Sequence, residues 1–284
     1  MSNHNNFIPL LYAEKLERER DDVLVAAKIC NRDYEGKVKN QGDKVKILGV
    51  SRPAIVDYDD AVGLPDFEKM KDQSTMLEIT QSKAFHFYIG KIEDIQAAVD
   101  FKNAERQEAA AGLAQAMDSF IYEEALRTKA SIQKVVNSVS SANILNVIAA
   151  HLALLWKAGV PRNETIYMEC SPNVIAKLML AKLIVDTDNS KVLTSGAVGK
   201  LRTFNVEVEM SNNIPTYETT GEYMIFRTKK AITLAEQITE VEEYTPPKFF
   251  GKAIKGLQLY GAKVIRPKEL VITPVAAFTD EIAE

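Results

Sequence analysis

The sequence predicts an α+β fold in which one long helix stands between an extended hairpin and a second, mixed α/β region. Three stretches carry that prediction. Residues 93–130 hold no proline and one glycine, Gly112, and most other positions are Ala, Glu, Gln, Lys or Arg, all good helix formers. Residues 44–50 and 75–89 alternate apolar and polar as strands do, and they bracket a polar segment, 51–74, without periodicity. Residues 132–245 alternate helical and strand-like patterns, as helices packed on a mixed sheet would.

The long helix is the best specified element. At a rise of about 1.5 Å per residue, the ~25 residues from Asn103 to Arg127 span about 37 Å, roughly twice the length of a mean helix of about 11–12 residues. Leu113, Met117, Phe120 or Ile121, and Ala125 step at three and four, which sets one stripe against a core. Leu113, Met117, Phe120 and Ile121 are the expected core of this rod. Ala104, Ala109, Ala110, Ala114 and Ala116 keep its other faces slim, so neighbours can approach closely.

The remaining elements follow in order. Residues 7–29 are helix-prone after Pro9, with Glu14/Arg18, Lys15/Glu19 and Arg18/Asp22 as i,i+4 pairs. Their amphipathic pattern is weak, so they read as a solvated helix face or as an arm lying on a neighbouring subunit. Gly36 and Gly42-Asp43 mark turns before the strand at 44–50. Residues 51–74 contain Pro53, Gly63, Pro65 and many Asp and Lys. So long a connection is uncommon inside a compact domain, and its apolar content is too small to hold a core, so it asks for a partner.

Residues 131–141 read as a linker or strand-turn. Asn143 is expected to cap a helix over 144–157, which Gly159-Val160-Pro161 ends. Residues 165–170 form a short buried strand, and Ser171-Pro172 open a helix over 173–183. Residues 186–195 read as loop, 196–200 as a tight glycine-punctuated segment, and 204–210, 223–227 and 231–234 as strands. Pro246-Pro247 mark a boundary. Residues 251–273 give one long strand with a glycine break and another after Pro267. The acidic tail 274–284 is expected to be mobile.

The totals set bounds. With 284 residues and 46% hydrophobic content the chain can bury a real core, as one large or two ordinary domains. A net charge of −4 argues against a nucleic-acid or anionic-membrane surface as the main partner. Two cysteines, Cys30 and Cys170, lie far apart outside any CxxC pattern, which favours a reducing place of synthesis. The start MSNHNNF has no secretory pattern. No apolar run nears the ~20 residues that span a bilayer, so a soluble chain with no membrane partner is expected.

Candidate chemistry fails on spacing. Gly196-Ala197-Val198-Gly199-Lys200 suggests a phosphate loop, but Thr194 stands where the first glycine belongs and Leu201 where Ser or Thr should follow the lysine. His4, His86 and His151 are isolated, without a second ligand at metal spacing. No G-x-S-x-G elbow is present. Asp59-Asp60 and Glu242-Glu243 read as solvated loop charges. Neither cysteine has a basic neighbour in its own segment that would activate a thiolate. The expectation is no catalytic residue, no cofactor and no metal, hence a chain that is not an enzyme.

The order of elements resembles the major capsid protein of tailed bacteriophages, with the Hong Kong ninety-seven-type fold. The residues that carry the resemblance are Asn31-Arg32-Asp33-Tyr34-Glu35-Gly36 and Gly42-Asp43-Lys44-Val45-Lys46-Ile47, then the strand over 83–92, Gly159-Val160-Pro161 and Ser171-Pro172. They continue with Gly196-Ala197-Val198-Gly199-Lys200-Leu201, Phe204-Asn205-Val206, Ser211-Asn212-Asn213-Ile214-Pro215, Lys230-Ala231-Ile232-Thr233-Leu234-Ala235 and 257–267. Their joint order and spacing is specific where no single motif is. Thr203 departs from the pattern, which carries glycine before the Phe.

The resemblance implies an N-terminal arm and first strand (1–48), an extended loop (49–83), a peripheral domain with the spine helix (84–131 and 246–284) and an axial domain (132–245). It implies self-assembly into pentamers and hexamers of an icosahedral head, in virions assembled in the host bacterial cytoplasm. Packaged double-stranded DNA would touch the wall weakly. Further partners would be a portal and a separate scaffolding or decoration protein. The subunit contacts it points to are Leu11, Arg18 and Arg20 in the arm, and Asp57, Asp59, Asp60, Asp66, Lys69, Lys71 and Lys83 in or beside the loop. An encapsulin-type nanocompartment shell is the alternative within the fold. A cytosolic α/β enzyme with its site in 132–245 is the alternative outside it.

Overall fold

A computed structural model describes residues 24–34, 42–50, 55, 72–90, 101–181, 197–201, 206–218, 220–248 and 250–279. In chain order the elements are β1 (Lys44–Val50), β2 (Asp72–Glu78), β3 (Gln81–Gly90), α1 (Phe101–Arg127), α2 (Ile144–Lys157), β4 (Ile166–Cys170), α3 (Pro172–Leu180), β5 (Ala197–Leu201) and β6 (Val206–Met210). Then come β7 (Thr216–Tyr217), β8 (Gly221–Thr228), β9 (Ile232–Tyr244), β10 (Gly251–Val264) and β11 (Leu270–Val275).

These elements build two sheets and a hairpin. The first sheet has the order β3-β10-β9, all antiparallel, and α1 packs along it. The second has the order β11-β8-β4-β6-β5, with β7 on β8. Among its named strands the one parallel pair is β4 with β6, and α3 follows directly from β4. The hairpin pairs β1 with β2 from Lys44 opposite Glu78 to Val50 opposite Asp72.

Three larger apolar clusters hold this together. α2 lays Ile144, Ile148, Leu152 and Leu155 on Ile166, Met168, Val208 and Phe226 of the second sheet, and α3 adds Val174 and Leu178. Along α1, Ala114, Met117, Ile121 and Ala125 are buried with Leu24, Ala27, Leu234, Tyr260 and Ile272, while Phe120 is half-buried and meets Tyr260 edge-on at 5.5 Å. Leu113 packs with Ala110, Phe85 and Val241. The hairpin base has its own cluster, in which Ile47, Leu77 and Ile79 meet Ala235 and Leu259.

The helix ends show how local chemistry fixes boundaries. α2 stops in a Schellman turn. Gly159 takes φ +98°, its N–H donates to the Trp156 carbonyl, and the Val160 N–H donates to that of Leu155, both at 3.1 Å. Pro172 occupies the first turn of α3, where its missing N–H costs nothing. The expected cap at Asn143 takes another form. Its side chain turns back into the preceding loop, accepting the Ser140 N–H at 2.9 Å and donating to the Ser138 carbonyl, and it gives α2 no side-chain cap bond.

Several elements differ from the sequence expectation. The strand expected over 75–89 is two strands: β2 pairs with β1, and after Ile79 and Thr80 the chain turns onto β10 as β3. The segment at 196–200 is largely strand β5, bulged between Ala197 and Gly199. The short strand expected at 231–234 continues to Tyr244 as β9, so Glu242 and Glu243 lie on a strand opposite Lys255 and Ile254 rather than in a loop.

At 274–279 the chain is not a free tail. It zips onto 132–139 through Val136 N–H to Pro274 O (2.9 Å), Ala276 N–H to Val136 O (2.9 Å) and Thr279 N–H to Val139 O (3.1 Å). Of the helix expected over 7–29, the described part holds a single 3-10 turn, Ala27–Ile29. The sheets also interleave along the chain, because β9 lies in the first sheet and β11 in the second.

Gly261 governs how the hairpin seats. A Cβ there would stand 2.1 Å from the Glu78 carbonyl oxygen and 2.9 Å from Ile79 Cα, both backbone. Gly112, on α1, has nothing within 4 Å of a built Cβ. Gly261→Ala should therefore lower stability by about 1–3 kcal/mol, the usual cost of overpacking. Gly112→Ala should raise it by about 0.5–1 kcal/mol through helix propensity alone. Denaturant midpoints of the two variants check both signs.

Candidate assembly surfaces

The strongest polar feature is fully buried and ties four elements together. Arg227, at the end of β8, is 0% exposed, as is Glu169 on β4. The Arg227 Nε donates to one Glu169 oxygen at 2.6 Å and Nη2 to the other at 2.8 Å, a bidentate pair. Nη2 also donates to the Ala26 carbonyl (2.9 Å), and Nη1 to the Ile29 carbonyl (3.3 Å) and Cys30 Sγ (3.7 Å). All five guanidinium donors are thus met by protein. From α1, the Tyr122 hydroxyl reaches Glu169 at 3.4 Å, and burial pushes its pKa well above the ordinary phenol value.

The same segment meets α1 through Asp118, also 0% exposed. Its carboxylate accepts the Val25 N–H at 2.9 Å and the Ala27 N–H at 3.1 Å. Carbonyls of residues 26 and 29 go to Arg227 while N–H groups of 25 and 27 go to Asp118. Segment 24–31 is therefore gripped on both sides, and its end joins β9 through the Asn31 N–H to the Ile232 carbonyl (2.9 Å).

The exposed features are of a different kind. The hairpin leaves the body from a clamped base, where the Gly42 N–H donates to the Ile79 carbonyl (3.1 Å) and the Ile79 N–H to that of Asp43 (3.2 Å). Farther out, Met76 is exposed and Lys44 pairs with Glu78 across the strands at 3.2 Å. On the first sheet, β3 pairs with β10 along one side, and among the described residues no strand pairs its other side. The adjoining face carries His86 stacked on Tyr244, Lys255 above the Tyr244 ring at 5.4 Å, and an exposed Tyr88 that donates to the Phe250 carbonyl. Phe250 itself is 88% exposed.

Of the contact residues expected from the sequence, Leu11, Arg18, Arg20, Asp57, Asp59, Asp60, Asp66, Lys69 and Lys71 lie outside the described residues. Lys83 is exposed on β3 opposite Gln258. The Arg227 clamp was missed by sequence reasoning. Its one visible trace is an arginine closing the otherwise apolar run Met224, Ile225, Phe226.

Both cysteines and His151 are packed away. Burial pushes the Cys30 thiol up to about 11 and the Cys170 thiol higher still. His151 stacks on Phe226 at 5.4 Å, is held by the Val147 carbonyl, and has its pKa lowered by burial. Among the described residues no three His, Cys, Asp or Glu side chains group to hold a metal ion. No described helix is long and apolar enough to cross a membrane. A cavity of about 140 Å³ lies beyond the carboxyl ends of β4 and β6, lined by Ser171, Ser211, Asn212 and Glu222 among others. Ser171 and Asn173 donate to the Glu222 carboxylate beside it.

No protein-family model matches the chain, and no curated protein matches it. Solved structures do. A structure from Mycobacterium phage Che8 aligns over 88% of this chain and 90% of its own with a TM-score of 0.69 and 25% identity. The capsid of Ralstonia phage GP4 aligns over 93% and 92% with a TM-score of 0.64 and 12% identity. A virus-like particle from Pyrococcus furiosus aligns over 92% and 97% with a TM-score of 0.56 and 13% identity.

Breaking the clamp on one side should be severe. Arg227→Met leaves the Glu169 carboxylate buried without its partner, at a cost of about 3–5 kcal/mol. The double variant Arg227→Met with Glu169→Leu should recover part of that loss. Thermal denaturation of the three proteins side by side checks the order wild type, double variant, single variant.

Proposed function

We propose that this chain, which has the tailed-phage capsid fold, is the shell subunit of a phage head. The alignment with Che8, near nine-tenths of both chains, is the observation that carries the reading. The higher TM-score and identity to Che8 favour a phage head over a nanocompartment of the kind the Pyrococcus particle suggests. The likeness to capsid structures, with both cysteines and His151 buried, favours a structural role.

On this reading the subunit closes into pentamers and hexamers, and these into an icosahedral shell around double-stranded DNA. A head-to-tail contact of this type forms rings when its rotation closes. The projecting hairpin reaches a neighbour, with residues 51–71 at its tip and Lys83 near its root. The N-terminal arm leaves the body at the gripped segment 24–31 and carries Leu11, Arg18 and Arg20 to another subunit. The spine helix α1 and the first sheet form the peripheral domain, and the second sheet with α2 and α3 forms the axial domain. A portal and a separate scaffolding or decoration protein complete the particle, and a net acidic subunit holds the packaged DNA by confinement with weak contact.

The purified chain should sediment as rings, shells or large polymers, and electron microscopy should show them. A monodisperse monomer at assembly concentrations would count against the reading. The hairpin supplies a sharper test. Val50 and Asp72 are paired, so replacing 51–71 by Asn-Gly joins the strands through a two-residue turn without disturbing their register. That variant should melt within a few degrees of wild type and yield no closed shells. Normal particles from it would remove the hairpin from the assembly mechanism.

A further inference from the structure

We propose that Asp118 is a proton-controlled latch that holds segment 24–31 against α1 when its carboxyl is neutral and loosens it when ionised. The inference goes beyond the shell reading and does not rest on it.

The geometry sets up an imbalance of charge. Asp118 is buried under segment 24–31, and Glu169 and Arg227 are buried beside it. Arg227 gives two of its donors to Glu169 and the other three to the segment. Among the described residues, Asp118 therefore faces neutral N–H groups of the segment and no cation of its own. The titratable groups around it, again among the described residues, are Glu169 from β4, Tyr122 from the next turn of α1 and Cys30 from the segment itself. At the margin stand Glu209 of β6 and the exposed Lys28.

An ionised carboxylate in that position is costly because water cannot reach it. Burial pushes its pKa up to about 6 from an ordinary 3.8. The N–H groups of Val25, Ala27 and Ala26 oppose that rise, and the Glu169 charge adds to it. Lifting the segment away removes its cover, lets water reach residue 118 and brings its carboxyl back toward the ordinary range. The latched state therefore holds the proton more tightly, and acid favours it. The extra stabilisation is fully present below about 4 and is lost as pH rises through about 6, changing the latched-to-released ratio by about a hundredfold in all.

Amide hydrogen exchange on the full chain, corrected for intrinsic rates, reads the latch directly at Val25 and Ala27. Between pH 4.5 and 7.5 their protection should fall about twentyfold. Asp118→Asn, neutral at every pH, should flatten that profile. Glu209→Gln, which removes the neighbouring carboxylate that burial raises to about 7, should leave the fall in place. A flat wild-type profile overturns the proposal, as does a slope that survives in Asp118→Asn or vanishes in Glu209→Gln. Should Asp118→Asn fail to fold, the wild-type and Glu209→Gln profiles still decide the matter.

Discussion

A guanidinium sealed from water must have every donor met by protein, and much of this fold depends on how Arg227 meets that demand. Its partners are Glu169, 58 residues earlier, and the carbonyls of Ala26 and Ile29 with the Cys30 sulfur, about two hundred residues earlier. None of these can shift without leaving a buried charge or carbonyl unpaired, and such a defect costs more than a typical apolar contact contributes. The pair thus bridges the side chains of the adjacent strands β4 and β8 and fixes the place where the N-terminal segment enters the body. Tyr122 and Asp118 extend the same constraint to α1, so the long helix is held in register with the second sheet as well as packed on the first.

Around that point the two halves are built differently. The second sheet is covered by α2 and α3 and has a deep aliphatic core in which Phe226 and His151 stack. The first sheet is thin: three strands with α1 on one face, and on the other an aromatic and charged surface of His86, Tyr88, Tyr244 and Lys255. Ion pairs there, such as Lys255 with Glu242 at 2.7 Å, join half-exposed partners and add little stability. A sheet that among the described residues is open on one face, with β3 at its edge, suits a protein that finishes its burial against neighbours.

The parts of the fold that local chemistry decides were legible in the sequence. The rod, the first hairpin strand, the Gly159-Pro161 stop and the Ser171-Pro172 start each depend on a few consecutive residues, and each stands within a few residues of its expected place. What escaped was set by distant partners. The break at Ile79 and Thr80 falls at the polar run Thr80-Gln81-Ser82-Lys83, which the matching parity of Leu77, Ile79, Phe85 and Phe87 disguised; it arises where the chain crosses β10 at Gly261, nearly two hundred residues away. β9 looked finished at Leu234 because its later residues are mostly polar, with four glutamates among them, yet pairing with β10 carries it on to Tyr244. Arg227 read as an ordinary strand-end arginine, since nothing nearby in sequence announces Glu169 or the carbonyls it serves. The assembly residues drawn from the arm and loop fall almost wholly outside the described residues, and Lys83 alone can be placed.

The interleaving of the sheets has a mechanical side. Three described stretches of chain pass between the halves: 128–132 after α1, 229–231 between β8 and β9, and 265–269 between β10 and β11. A molecule joined by a single tether would hinge there under tension. Here a pull that separates the halves is shared by three covalent strands, and the zip of 274–279 onto 132–139 braces the base of two of them. Such a subunit transmits strain as a plate does, spreading it sideways into whatever it touches.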